Sequence, residues 1–347
     1  MADPLLEVED LHVSFVTEDG VVKAVDGVSL TLAPGEVLAV VGESGSGKSV
    51  TAMTLLGLTR SPNARFEGSA RLRGLDLIEA PEAALEQVRG AEIAMIFQDP
   101  ISSLSPIHRV GQQIVEQIRA HEDVTQAEAF DRAVLLMENV GIPRARDRAM
   151  HYPHELSGGM RQRVMIAMAL SLSPSVLIAD EPTTALDVTI QAQILQQMRQ
   201  LIADRDTAII FVTHDLGVVA DIADRVVVMY AGRVVETGTL DEVFYDPQHP
   251  YTWGLLGSIT RMDREPPARL PAIPGQPPSL LSPPEGCHFR PRCPHEFAKC
   301  SEVPPLAARL PDAPGHCDRC WLSVEEKRTK RTVDGRIGLA SEGTVIA

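Results

Sequence analysis

Apolar positions along the chain change period several times, and each change marks an element. In residues 5–15, Leu6 and Val8, then Leu11, Val13 and Phe15, alternate with polar neighbours. A period of two predicts a half-buried strand. Thr17-Glu18-Asp19-Gly20 predicts a turn, and residues 21–32 a returning strand. After a second turn at Pro34-Gly35, residues 37–41 are apolar without interruption, the pattern of a strand covered on both faces. Residues 69–73 and 92–97 predict further strands. From 106 to 150 the chain turns polar and helical, with Ile114, Ile118, Ala127, Phe130, Val134 and Leu135 as its apolar positions. A helical insertion over about 100–160 follows from this. Residues 164–172 predict an apolar helix, 176–179 and 208–212 buried strands, and the stretch after Asp187 a helix to about Leu201. Residues 225–238 predict a hairpin turning at Ala231-Gly232. Beyond Asp246 the composition shifts: 250–284 is proline-rich and reads as a linker or irregular arm, and 325–347 as a loose polar end. The expected division is a large α/β domain over 1–257 and an extension over 258–347, without internal repeats.

Between the apolar run 37–41 and a helix-permissive run 50–58 stands Gly42-Glu43-Ser44-Gly45-Ser46-Gly47-Lys48-Ser49, which fits G-x-x-x-x-G-K-S. A strand, a glycine-rich loop and a helix in that order are what a phosphate cradle needs. The glycines let backbone N–H groups turn inward at a helix N-terminus. Lys48 can then reach the β- and γ-phosphates and the Ser49 hydroxyl a Mg²⁺ ion. The motif implies nucleoside triphosphate binding.

Other positions carry chemistry less specifically. Phe15 suits stacking on an adenine and equally suits a core. Gln98, at a strand end, can contact Mg²⁺ or position a water. Ser157-Gly158-Gly159 opens a helix and offers a second anion cradle. One nucleotide rarely needs two, so the second points to a nucleotide held by another subunit. Asp180 and Glu181 end a buried strand, where the first can hold the Mg²⁺ shell and the second can polarise a water for in-line attack; a solvated acidic turn reads the same way. His214, after 208–212, can hydrogen-bond a γ-phosphate or serve the structure alone.

Charge and cysteines narrow the class. With 32 basic and 47 acidic residues the formal charge is −15, which argues against gripping nucleic acid. No apolar run approaches the roughly 18–20 residues of a membrane span. The acidic start Met1-Ala2-Asp3-Pro4 lacks the regions of a signal peptide, so a cytoplasmic location is expected. All five cysteines follow Gly286, an uneven placement that suggests a local metal site. Cys287, Cys293 and Cys300 are spaced C-x₅-C-x₆-C, and Cys317 and Cys320 form C-x₂-C. Four thiolates can hold zinc or a [4Fe–4S] cluster, and unligated thiols fit the spacing too.

Taken together, Gly42 to Ser49, Gln98, Leu156-Ser157-Gly158-Gly159-Met160, the strand ending in Asp180-Glu181, Ala185-Leu186-Asp187 and His214 resemble the ATPase subunit of an ABC transporter over about 5–257. The resemblance implies a P-loop NTPase of ABC type. It implies ATP contacts from Phe15, Gly42, Ser44, Gly45, Ser46, Gly47, Lys48, Ser49 and Thr51, and Mg²⁺ contacts from Ser49, Gln98 and Asp180. Glu181 becomes the catalytic base, His214 the switch histidine, Gln98 the Q-loop residue and Asp187 the D-loop residue. Ser157, Gly158 and Gly159 become the signature that reaches a partner's ATP. Met160 departs from the usual glutamine there, with little loss expected because Ser157 and Gly159 remain.

A narrower resemblance, to the oligopeptide/dipeptide importer branch, rests on Phe97-Gln98-Asp99-Pro100, His151-Tyr152-Pro153-His154-Glu155, His249-Pro250-Tyr251-Thr252, Ile273-Pro274-Gly275 and the cysteine segment. It implies a related, non-identical second ATPase subunit, two transmembrane permease subunits, an extracytoplasmic peptide-binding protein, and a place at the cytoplasmic face of the membrane. It also implies a [4Fe–4S] cluster on Cys287, Cys293, Cys300 and a fourth cysteine, for which Gly315-His316 before and Trp321 after favour Cys320 over Cys317. Nickel and glutathione importers look alike at this level. A DNA-maintenance ABC ATPase, a translation-type protein with two cassettes and a decayed metal-binding scaffold fit less well, given the absence of heptads, the single phosphate-loop motif and the intact Lys48, Asp180, Glu181 and His214.

Overall fold

The computed structural model describes residues 3–182, 188–258 and 273–333. Its strands are β1 (Leu6–Thr17), β2 (Gly20–Leu32), β3 (Val37–Val41), β4 (Ala64–Leu72), β5 (Leu75–Asp76), β6 (Ile93–Ile96), β7 (Val176–Asp180), β8 (Ala208–Thr213), β9 (Arg225–Tyr230), β10 (Arg233–Thr239), β11 (Ala307–Ala308) and β12 (Cys317–Asp318). Among the described residues they form two sheets, ordered β2-β1-β4-β5 and β11-β12-β10-β9-β3-β8-β7-β6. The first is antiparallel throughout. In the second, β9, β3, β8, β7 and β6 run parallel, and β10 turns back as a hairpin on β9.

Physical cause is plainest in the parallel strands. Every residue of β3, β7 and β8 is buried, because helices and the first sheet cover both faces. One core lies between the sheets, where Leu6, Val8, Leu11 and Leu32 meet Leu38, Val40, Ile178 and Ile210. Each such side chain contributes up to about 1.5–3 kcal/mol. The carboxyl ends of β3, β7 and β8 therefore open on one edge, where ligands bind in open α/β sheets.

A second core sits in the helical segment. The helices Val110–His121, Gln126–Asn139 and Ala145–Arg148 lie between β6 and β7, in the stretch that the sequence reads as polar and helical. Thr125 and Glu128 close a reciprocal cap on the second helix, satisfying two of its free N–H groups. Ile114 and Ile118 are buried as expected, against Ala129, Ala133, Val134 and Met137. Two apolar positions fall on the other face: Leu135 is 55% exposed and Ala127 is exposed. Small alanines make the contact instead, which lets the helices approach closely.

The C-terminal region is more ordered than its composition suggests. Within the expected proline-rich arm, Pro250–Gly257 is a helix. Proline at its first position has no N–H to waste, and His249 Nδ1 caps it by accepting from Tyr251 N–H at 3.1 Å. That acceptor role requires a neutral ring, and burial pushes the His249 pKa down to about 3. Tyr251 and Trp253 fill the core below, with Phe289 edge-on to Tyr230. The polar end is likewise a helix, Val324–Val333, as far as it is described. Its Lys327 is fully buried and donates to Asp318 Oδ1 at 2.6 Å. Strand β12 pairs with β10 through Glu236 and Thr237, so the extension prolongs the main sheet beyond its hairpin edge.

Candidate functional site

The loop after β3 is shaped by positions that only glycine fills. Gly47 has φ +101, and a Cβ there would stand 2.4 Å from Ala24 O. At Gly42 a Cβ would meet Met229 O at 2.2 Å. The loop thus packs on β9 with no side chain between, and it delivers its N–H groups to the helix Lys48–Leu55. Ser44 and Gly45 face solvent, whereas Ser46 is buried. Thr51 is buried and its hydroxyl donates to Gly47 O at 2.9 Å, bracing the first helical turn.

Lys48 is 6% exposed. Its Nζ donates to Gly42 O at 2.7 Å and Glu43 O at 2.9 Å, with Ser46 Oγ at 3.4 Å. Burial lowers its pKa, against the pull of Glu181, Asp180 and Glu43. Asp180 ends β7 at 4% exposure. Burial raises its pKa, the Ser49 hydrogen bond works the other way, and Oδ1 has no partner among the described residues. An orphaned carboxylate oxygen beside a serine hydroxyl suits a Mg²⁺ ion, whose preference is for oxygen ligands.

Glu181 has left-handed backbone, φ +47, and its N–H donates to Val212 O at 2.8 Å. The carboxylate lies between two side chains. Gln98 Nε2 donates to Oε2 at 3.0 Å, and His214 Nδ1 donates to Oε1 at 3.0 Å. The His214 ring is largely exposed and the Glu181 side chain only 14% exposed. Three residues predicted separately from sequence therefore meet, held by β6, β7 and β8.

Phe15 is half-buried and packs beside the inter-sheet core, a position compatible with both of its readings. Ser157 caps the helix Gly158–Ala169 by accepting from Met160 N–H at 3.3 Å. Ser157 and Gly158 are exposed, and a Cβ on Gly158 would meet nothing within 4 Å, so this cradle faces open space. Asp187, expected as the D-loop residue, lies outside the described residues.

Two side chains escaped the sequence reading. Gln162, 2% exposed, donates to Pro182 O at 2.8 Å and ties the helix of the second cradle to the loop after Glu181. Tyr251 Oη accepts from Glu43 N–H at 2.8 Å, inside the phosphate loop. Neither forms a local motif with what it holds.

Cys287, Cys293, Cys300 and Cys320 line one pocket, together with His295 and Trp321, and Cys317 does not border it. The pocket encloses about 320 Å³ including its open mouth. Gly286 allows the chain to fold onto Cys300 O, and Cys287 N–H donates to that carbonyl at 3.0 Å. Burial raises the Cys287 thiol pKa and pushes Cys293 and Cys320 up to about 12. Buried thiols of this kind hold their protons unless a cation compensates. Among the described residues, however, no group of three or more His, Cys, Asp or Glu stands close enough to hold a metal ion.

The pattern of the ABC transporter family matches residues 25–184, which contain the loop, Gln98, the second cradle and the Asp180-Glu181 pair. The chain belongs to the ABC transporter ATP-binding family. A second pattern, the C-terminal region of oligopeptide/dipeptide transporters, matches residues 235–300, which places the chain in that branch. An oligopeptide transport ATP-binding protein, OppD, of Salmonella typhimurium is 53% identical over 94% of this chain and 96% of its own. The dipeptide transport ATP-binding protein DppD of Bacillus subtilis is 47% identical over 95% and 98%. A dimeric ATP-binding cassette solved after hydrolysis with ADP and phosphate superposes with a TM-score of 0.62, at 25% identity over 68% of this chain and 98% of that one.

Proposed function

We propose that the chain is the ATP-hydrolysing subunit of an ABC importer that energises peptide uptake from the cytoplasmic face of the membrane. The observation that carries the reading is the meeting of Gln98, Glu181 and His214 beside the phosphate loop at the carboxyl ends of parallel strands. The backbone of 42–47 and Lys48 bind the phosphates, once Lys48 Nζ exchanges the carbonyls of Gly42 and Glu43 for phosphate oxygens. Phe15 stacks on the adenine. Ser49, Gln98 and Asp180 hold Mg²⁺, which neutralises charge on the phosphates when bound. Glu181 takes the proton of the attacking water, Gln98 and His214 hold its carboxylate in place, and His214 reaches the γ-phosphate.

Ser157, Gly158 and Gly159 serve the ATP of a second, related ATPase subunit. The exposed, unoccluded cradle supports this head-to-tail pairing. Among the described residues no helix is long and apolar enough to cross a membrane. Two permease subunits supply the passage, an extracytoplasmic protein delivers the peptide, and the helical segment passes closure of the ATPase pair to the permeases. Cys287, Cys293, Cys300 and Cys320 would hold a [4Fe–4S] cluster once drawn together from their present spacing; the pocket they share, which Cys317 does not border, supports that set over one with Cys317. Ligation by these thiols would tie together the loops of the extension.

Reconstitution with the permeases in vesicles tests the proposal. ATP-dependent uptake of labelled di- or oligopeptides is the expected result. Uptake of nickel or glutathione in place of peptides would assign the chain to those importers, and ATP hydrolysis without any uptake would refute a transport role.

A further inference from the structure

The second residue of the phosphate loop is held from outside by the C-terminal extension. The Glu43 carboxylate is gripped at both oxygens by Arg292, with Nη1 to Oε2 at 2.6 Å and Nη2 to Oε1 at 3.0 Å. A forked pair of this kind fixes orientation as well as distance. The Arg292 side chain is 4% exposed. Its other donor directions are also spent, on Pro274 O at 2.9 Å, Ile273 O at 3.2 Å and Tyr230 Oη at 3.3 Å. The guanidinium lies over the Tyr230 ring, 5.8 Å from its centroid. Glu43 is fixed at its backbone too: N–H on Tyr251 Oη, and carbonyl oxygen under Lys48 Nζ.

Arg292 belongs to the single turn Arg290–Arg292, bounded on either side by Cys287 and Cys293. Arg290 N–H donates to Cys287 O at 3.0 Å and Cys293 N–H to Arg290 O at 3.2 Å. The segment that orders the cysteines therefore also aims the arginine.

We propose that Arg292 is a positioning residue for the phosphate loop, through which the cysteine-bearing extension sets the chain's affinity for ATP. The proposal rests on the assignment of 42–49 as the ATP cradle. Arg292 does not touch the nucleotide; it acts by holding Glu43, whose peptide carries one of the two carbonyls that park Lys48. Coupling of binding free energies is reciprocal, so bound nucleotide also tightens the extension.

The test uses the full chain and a non-hydrolysable ATP analogue. Titration calorimetry compares wild type, Glu43→Gln, Arg292→Gln and the double variant. Each single substitution breaks the forked ion pair and leaves the remaining charge uncompensated, and is expected to raise the analogue's Kd by about tenfold. The double variant is expected to be no weaker than the weaker single, because both act through one contact. In the assembled transporter KM for ATP rises more than kcat falls, since a loose cradle costs binding first. Amide exchange gives the reciprocal readout: the analogue protects residues 287–300 in wild type and not in Glu43→Gln, which leaves the extension's own residues intact. Additive losses in the double variant would mean that Arg292 merely glues the extension in place, and would overturn the proposal. So would an unchanged Kd in both singles, or full protection of 287–300 in Glu43→Gln. If wild type binds no analogue, the assignment of the cradle fails first.

Discussion

Replacing Glu181 by glutamine isolates one function of the site. The side chain accepts from Gln98 at Oε2 and from His214 at Oε1, both at 3.0 Å. Glutamine keeps its length and one carbonyl oxygen, so one of these contacts survives unchanged. The left-handed backbone at this position, φ +47, costs about 1–2 kcal/mol for any residue with a Cβ; glutamate and glutamine share that cost, and it cancels. What disappears is the negative charge and the base. Loss of a positioned general base lowers a rate by about 10²–10⁴, or about 2.7–5.4 kcal/mol on the barrier. ATP binding survives, because Lys48 and the 42–47 backbone are untouched. Removal of the Glu181 charge, which acts on Lys48, also removes a repulsion from the bound phosphates. Single-turnover hydrolysis with the assembled transporter in excess over labelled ATP, paired with equilibrium binding, reads both quantities. Hydrolysis at the wild-type rate would exclude Glu181 as the base. Parallel loss of binding and hydrolysis would make it a binding residue and refute the reasoning.

Ser157→Arg should leave ATP binding by the single chain near normal and block turnover in the complex; the lost cap costs about 1 kcal/mol, visible as a lower Tm, and normal hydrolysis at both sites of the pair would refute the shared-site reading. Anaerobic purification should give a brown protein with about four irons per chain. Cys320→Ser should lose the colour and Cys317→Ser should keep it, whereas a colourless protein with one zinc would replace the cluster and the reverse pattern would move the fourth ligand to Cys317. His316 predicts a pH dependence. Burial works against its proton, but the hydrogen bond and charge of Glu236, at 2.8 Å, outweigh it and raise its pKa above the ordinary 6.5. A raised folded pKa stabilises fully below the unfolded value and loses that contribution as pH rises through the folded one. The Tm difference between wild type and His316→Gln should therefore shrink above neutral pH, and a flat difference would show that the pair does not titrate.

How much of this was legible in the chain depended on sequence distance. Strands β3, β7 and β8 were read within a residue or two, because a strand covered on both faces must be apolar throughout. The residues at their ends were read with them: Lys48, Asp180, Glu181 and His214 each sit within a few positions of a buried run. Composition misled where one residue type serves two purposes. Pro250 reads as a breaker, yet it opens a helix whose N–H groups are capped by His249, and the aromatic pair Tyr251 and Trp253 was the better signal. Leu135 misled in another way. Two overlapping apolar registers run along Gln126–Asn139, and only tertiary packing chose the one with Ala129 and Ala133 against the neighbouring helix.

The contact between Glu43 and Arg292 spans 249 positions and has no local signature at either end. Glu43 occupies a position that the phosphate-loop pattern leaves open, and Arg292 sits among proline and cysteine in a segment with no regular period. Their pairing follows from the fold alone: β9 and the helix Pro250–Gly257 bring Tyr230 and Tyr251 under the loop, and Phe289 packs on both rings. A loop pattern specifies which backbone can wrap a phosphate. It does not specify what holds that backbone still, and here those contacts are drawn from the end of the chain. Any change that loosens the cysteine turn reaches Glu43 through one arginine, so the extension belongs to the energetics of ATP binding while contributing no atom to the cradle.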